Sequence, residues 1–225
     1  DDVAANVVQA AVDAGYRHVD TAAAYRNEAA VAGGLKRAAA GAEVKVTTKL
    51  WNSNHGFDKA LAAFDKSLER LGRESVDLYL IHWPAPKQDL YVETWKALVR
   101  LKEEGRAKSI GVSNFNADHL QRIVGETGVT PAVNQIELHP KFQQTALREA
   151  HKALGIVTEA WSPLGQGTLL DDPTIGKIAA KHGKSPAQTI IRWHLDNDFV
   201  VIPKSVTPSR IVQNFDVFDF QLDAE

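Results

Sequence analysis

Four polar side chains stand where a reaction could use them. Asp20 closes the run HVD, Lys49 closes VTTK and His82 closes YLIH, while Tyr25 follows Asp20 on the next loop. Gathered in one partly buried place, Asp20 and Lys49 must pair, because a buried charge without a partner is costly. A free phenol loses its proton near pH ~10. An ammonium beside it favours the phenolate, which would bring Tyr25 toward the range of a useful general acid. His82 could hydrogen-bond to the same reacting oxygen, and the set suits protonation of a carbonyl oxygen. Metal binding is the rival use of these residue types. Glu137 and His139 sit at i, i+2 on one face of a run, and Asp20 and His82 could complete the ligands of a metal-dependent hydrolase. Against it, no H-x-H or H-E-x-x-H spacing occurs, and Lys49 competes for Asp20.

Other runs also end in polar residues: Ser113 and Asn114 in GVSN, Gln135 inside AVNQIEL, Trp161 and Ser162 in TEAWS, and Lys204 and Ser205 in VIPKS. Taken singly, each has a plainer use. An Asp or Ser after a strand is often a helix cap, and a lone His in an apolar run is often a hydrogen-bonded core residue.

The elements that carry them form a regular series. Apolar runs at 17–21, 44–51, 76–84, 107–115, 132–140, 156–164 and 199–206 begin roughly 30 residues apart, and most are apolar on both faces. Amphipathic stretches fill the gaps at 59–71, 91–104, 117–127, 145–154, 173–182 and 186–195. Strand–helix alternation of this kind means βαβ units and a parallel sheet. Seven units in a chain that starts on a helix predict a single (β/α)8 TIM-barrel domain over 1–225 that lacks its first strand. An open doubly wound sheet is disfavoured, since no G-x-G-x-x-G follows an early strand. In a barrel the C-terminal strand ends meet at one mouth, so the polar endings become neighbours. Trp95 and Trp193 lie in amphipathic stretches and are expected in the core.

At these residues the sequence resembles the aldo-keto reductases. The segment from Ala14 to Ala22 (AGYRHVDTA), then Tyr25 and Asn27-Glu28, is similar to the family signature around its catalytic aspartate and tyrosine. TTKLW at 47–51 resembles the lysine strand and DLYLIHWP at 77–84 the histidine strand, and the motifs follow in order along nearly the whole chain. Within the family, WSPLGQG at 161–167 is most like the branch of bacterial 2,5-diketo-D-gluconate and small-carbonyl reductases. The resemblance implies reduction of aldehydes and ketones by hydride from NADPH, with Tyr25 as proton donor, Lys49 and Asp20 tuning it, and His82 positioning the carbonyl. It implies that Ser113, Asn114 and Gln135 hold the nicotinamide carboxamide. Trp161 would stack on the ring, with Ser162, Leu164 and Gly165 beside it. Lys204, Ser205, Val206, Thr207 and Arg210 would form the adenosine-phosphate site, with Gln213 and Asn214 at the adenine. The two cations suit a 2′-phosphate, which favours NADPH over NADH. Trp51, Trp83 and Phe115 resemble the family's apolar substrate pocket. The same fold and tetrad also occur in NADPH-binding regulatory subunits with slow turnover, a second reading that activity lost with Tyr25 would exclude.

Composition narrows the field. Apolar residues are 44% and charged residues 24% of the 225 residues, an ordinary globular balance. A net charge of −2 gives no footprint for nucleic acid or an anionic membrane. No apolar run approaches the ~18 residues of a membrane span, so the expectation is a cytoplasmic protein, monomeric like many relatives. Cysteine is absent, which excludes disulfides, thiolate catalysis and cysteine-ligated metal. The family carries a hairpin and a strand before the first helix here, and a tail after Leu222. Seven runs leave two unpaired sheet edges, an aggregation hazard, so the whole protein is expected to contain the missing strand.

Overall fold

The computed structural model describes residues 2–224. The chain begins with helix α1 (Asp2–Asp13), whose Ala5, Val8 and Val12 are buried at helical spacing. Strands and helices then alternate: β1 (His18–Asp20), α2 (Glu28–Arg37), β2 (Lys45–Leu50), α3 (Phe57–Leu71), β3 (Val76–Ile81), α4 (Tyr91–Glu103), β4 (Ala107–Ser113) and α5 (Ala117–Thr127). There follow β5 (Val133–Glu137), α6 (Thr145–Leu154), β6 (Val157–Trp161), α7 (Pro173–His182), α8 (Pro186–Asp196), β7 (Val200–Val201) and α9 (Pro208–Phe215).

All pairings are parallel and the strand order is β1 to β7 in sequence. The sheet curls so far that the first and last helices meet. The Tyr16 ring lies 4.8 Å from that of Phe215, and the Tyr16 hydroxyl donates to the Ile211 carbonyl at 3.3 Å. This is the (β/α)8-barrel type of α/β fold, with β1 and β7 as the edges of the described sheet.

The predicted strands shrink at their C-terminal ends for local reasons. β4 stops where Asn114 takes φ 61°, and β6 stops where Ser162 takes φ 47°; left-handed backbone cannot continue a pleat. The last run yields only two strand residues, because Pro203 has no N–H to give the ladder. Gly111 in β4 is required by close approach, since a Cβ there would stand 2.5 Å from the Val133 carbonyl oxygen.

Side-chain alternation along the strands separates two environments. On β2, Thr48 faces the helices and donates to Glu28, which also accepts from Arg70 at 2.6 Å. Its neighbours Thr47 and Lys49 turn the other way, to His18 and Asp20. On β5, Asn134 bonds to His151 of α6, whereas Gln135 reaches Asp20. The helix side holds the main apolar core, built around Phe64, Tyr79, Trp95, Leu98 and Ile110. Trp95 is in that core as expected, its indole N–H given to the Val129 carbonyl, and Trp193 packs on the smaller cluster of Ile136, Leu138 and Phe199. No described helix is long and apolar enough to cross a membrane.

Candidate active site

Asp20 is the last residue of β1 and Lys49 the fifth of the six in β2, so in a parallel pair their side chains emerge at the same end of the sheet. The Lys49 side chain is fully buried. Its ammonium donates to Asp20 Oδ1, to the Thr21 carbonyl at 3.0 Å and to the Tyr25 hydroxyl at 3.4 Å. Burial alone would push this ammonium down, but the Asp20 carboxylate, and after it Tyr25, hold it above the ordinary lysine range. The second Asp20 oxygen accepts from the Gln135 side-chain amide at 2.8 Å. Tyr25 ends a single turn of 3-10 helix after β1 and stays 50% exposed, so its hydroxyl joins a buried ammonium to an open cavity.

His82 lies just past β3. Its ring meets Tyr25 edge-on at 5.7 Å and Trp51 edge-on at 5.2 Å. Burial, with Lys49 adding to it, pushes His82 down to about 4, so the imidazole is neutral at neutral pH. Its Nδ1 is buried without a partner among the described residues.

Asp20, Tyr25, His82 and Trp83 line one cavity of about 1510 Å³ together with Ser113, Asn114, Gln135, Trp161, Ser162, Leu164, Lys204, Ser205, Val206, Arg210, Gln213 and Asn214. Several of these are tied to each other across strands. The Ser113 hydroxyl donates to the Gln135 carbonyl at 2.8 Å. The Asn114 amide donates to the His82 carbonyl at 2.9 Å and accepts from the Trp161 indole at 2.9 Å, which fixes the tilt of that ring. Lys204 and Arg210 are exposed and have no acidic partner among the described residues. Unpaired cations, a flat indole and amide side chains lining one cavity are a donor set that fits a dinucleotide bearing several phosphates.

Some expected residues stand elsewhere. Phe115 is a correction: it is fully buried between the Tyr91 and His119 rings, at 5.6 and 5.8 Å, and does not reach the cavity. The left-handed Asn114 before it turns the chain out of the strand's alternation, aiming the ring between α4 and α5. Gly165 lies behind the lining in a 3-10 turn with φ 55°. Thr207 precedes α9 and gives its N–H to Ser205 Oγ, with no lining role. Trp51 is 38% exposed against His82 but outside the same lining. The four residues of the metal reading do not form a ligand set. Glu137 and His139 pair at 3.7 Å, and among the described residues no three acidic or imidazole side chains converge as metal ligands.

One buried group lies outside the strand-end pattern. Glu159 in the middle of β6 is 1% exposed, next to Gln135 in register. The signal was in the sequence: Glu159 lies two residues before Trp161, on the same face of the strand.

The aldo/keto reductase family profile matches residues 1–225. An aldo-keto reductase of Mycolicibacterium smegmatis is 57% identical over 219 residues, covering 97% of this chain and 80% of that protein. Methylglyoxal reductase DkgA of Escherichia coli is 53% identical over 221 residues, with 97% and 80% covered. Among solved structures, a Gox0644 mutant in complex with NADPH superposes with a TM-score of 0.96 at 58% identity, over 99% of this chain and 81% of that one. With a Lys–Asp–Tyr–His cluster at the strand ends of a curled parallel sheet, the chain belongs to the aldo/keto reductase family.

Proposed function

We propose that this protein reduces small aldehydes and ketones, dicarbonyls among them, to alcohols at the expense of NADPH. The observation that carries the reading is the Lys49 ammonium, buried between Asp20 and the hydroxyl of a half-exposed Tyr25. Bound NADPH supplies a hydride to the carbonyl carbon. Tyr25 gives its proton to the carbonyl oxygen, and Lys49 at 3.4 Å stabilises the phenolate left behind. Asp20 holds Lys49 in place and keeps it charged. His82, neutral, directs an imidazole N–H at the same oxygen without competing for the proton. Trp51 and Trp83 form the apolar approach for the substrate. Ser113, Asn114 and Gln135 border the carboxamide, Trp161 the nicotinamide face, and Lys204 with Arg210 the 2′-phosphate. The likeness to methylglyoxal reductase DkgA supports dicarbonyls as the first substrates to try.

The test follows NADPH consumption with methylglyoxal, an aromatic aldehyde and a diketo-sugar acid, in parent and Tyr25→Phe. General acid catalysis is worth roughly 10²–10⁴-fold, and a loss of that size is expected in the variant with NADPH binding intact. NADPH binding without turnover in the parent would move the protein to the regulatory reading instead.

A further inference from the structure

Glu159 is as buried as Lys49, and none of the roles assigned above uses it. It is buried on β6, in register with Gln135 on one side and Val200 on the other. Its Oε1 has no hydrogen-bond partner among the described residues. The charged groups that face it are Asp20 from β1 and Lys49 from β2; β5 contributes the Gln135 amide, and β7 adds no charge. Gln135 in turn donates to Asp20 at 2.8 Å, so one amide borders both carboxyl groups.

Two carboxylates and one ammonium in a buried site leave an uncompensated negative charge, which the interior disfavours. Asp20 already has the ammonium and the amide, whereas Glu159 has a bare oxygen. The proton therefore belongs on Glu159. From this geometry we infer that Glu159 is a positioning residue that works in its neutral form, leaving Asp20 the sole carboxylate on Lys49. When Glu159 ionises, the ammonium answers to two carboxylates, Gln135 is drawn between two acceptors, and less of the Lys49 field falls on the Tyr25 hydroxyl. Burial, with Asp20 adding to it, pushes Glu159 up to about 8, while Lys49 and Gln135 oppose the shift. The switch thus falls just above neutral pH. The inference rests on the proposed role of Tyr25 as proton donor.

The experiment compares kcat/KM for NADPH-dependent methylglyoxal reduction in parent and Glu159→Gln across pH 6 to 10, with stability against pH measured alongside. The substituted amide keeps the shape of a neutral glutamic acid and cannot ionise. The variant should stay within about twofold of the parent near pH 7 and exceed it by several-fold above pH 8, because the parent alone carries a falling step near 8. The stability sign is fixed too: a carboxyl whose folded pKa is raised costs stability progressively from about 4.5 to about 8, so the variant gains on the parent as pH rises through that window. Superimposable pH–rate profiles, with the stability difference alone moving, would reduce Glu159 to a structural residue and overturn the inference. A parent that binds NADPH but does not turn over would instead defeat the functional reading, and any catalytic role for Glu159 with it. Should Glu159→Gln fail to fold, NMR titration of the parent with carboxyl-labelled glutamate decides the matter. One glutamate signal titrating near 8, and moving in Asp20→Asn, is required; all signals titrating in the ordinary range refute it.

Discussion

The two groups of charges that border the cavity are held in opposite ways. Around Asp20 every charge has been answered inside the protein: Lys49 gives hydrogen bonds to Asp20, Thr21 and Tyr25, and Gln135 takes the remaining Asp20 oxygen. Lys204 and Arg210 stand in water with no acidic partner among the described residues. The contrast follows from dielectric. A buried charge left without a partner costs several kcal/mol, so it is compensated within the fold before any ligand arrives. A surface cation is compensated by water and can be left for a ligand to claim. The Asp20–Lys49 end is therefore preorganised, and the Lys204–Arg210 end is not.

The largest effect should come from breaking the preorganised end. Lys49→Met strands Asp20 in a site where its side chain is only 8% exposed. Loss of one partner of a buried pair costs about 3–5 kcal/mol, and turnover should fall with it, since Tyr25 loses the ammonium beside its hydroxyl. Denaturant unfolding together with NADPH consumption would measure both, and an unchanged unfolding midpoint would mean that the pair does not hold this end together. The exposed end should behave differently. If these cations hold the 2′-phosphate as proposed, Lys204→Ala or Arg210→Ala should lose one charged hydrogen bond, roughly 1.5–3 kcal/mol or tenfold to over a hundredfold in NADPH affinity. Stability should change by no more than ~0.5 kcal/mol and NADH affinity hardly at all. Equal losses for the two cofactors would show that these cations do not read the phosphate.

The same contrast explains what could be read from the sequence. Lys49, Asp20 and His82 are legible because each lies at or next to the C-terminal end of a strand, and a curled parallel sheet gathers strand ends whatever the packing details. Trp95 was legible from helical periodicity. Phe115 was not, because its direction depends on the left-handed Asn114, and positive φ in a non-glycine residue is settled by tertiary contacts. Asn114 takes it while bonded to His82 and Trp161, partners distant in sequence. Glu159 is hidden from the strand-end pattern because it lies in the middle of β6, although its parity with Trp161 places it on the inner face. The tie between Gln135 and Asp20 spans β1 and β5 and belongs to the curvature of the sheet rather than to any local pattern.

Two buried histidines give the finest form of the comparison. Burial pushes both His82 and His151 down to about 4, Lys49 adding to the shift at His82. His151 is fully engaged: its Nε2 meets the Asn134 amide at 2.8 Å and its Nδ1 meets Thr158 Oγ1 at 2.8 Å. The Asn134 orientation is set by the Phe115 backbone, which takes its N–H at 3.0 Å. Asn134 can then only donate to His151, so protonating that ring would set two donors face to face. A histidine with a depressed folded pKa contributes stability that is present above about 6.5 and lost as pH falls toward about 4. Each should cost about 1 kcal/mol by pH ~5, after allowance for screening by solvent. In His151→Gln, the stability gap to the parent should narrow on acidification from 6.5 while kcat stays the same. In His82→Gln the gap should narrow likewise, and turnover should fall at every pH, because that ring faces the cavity. Parallel stability curves for parent and His151→Gln would mean that this histidine is charged or solvated in the fold, and that its hydrogen bonds run the other way.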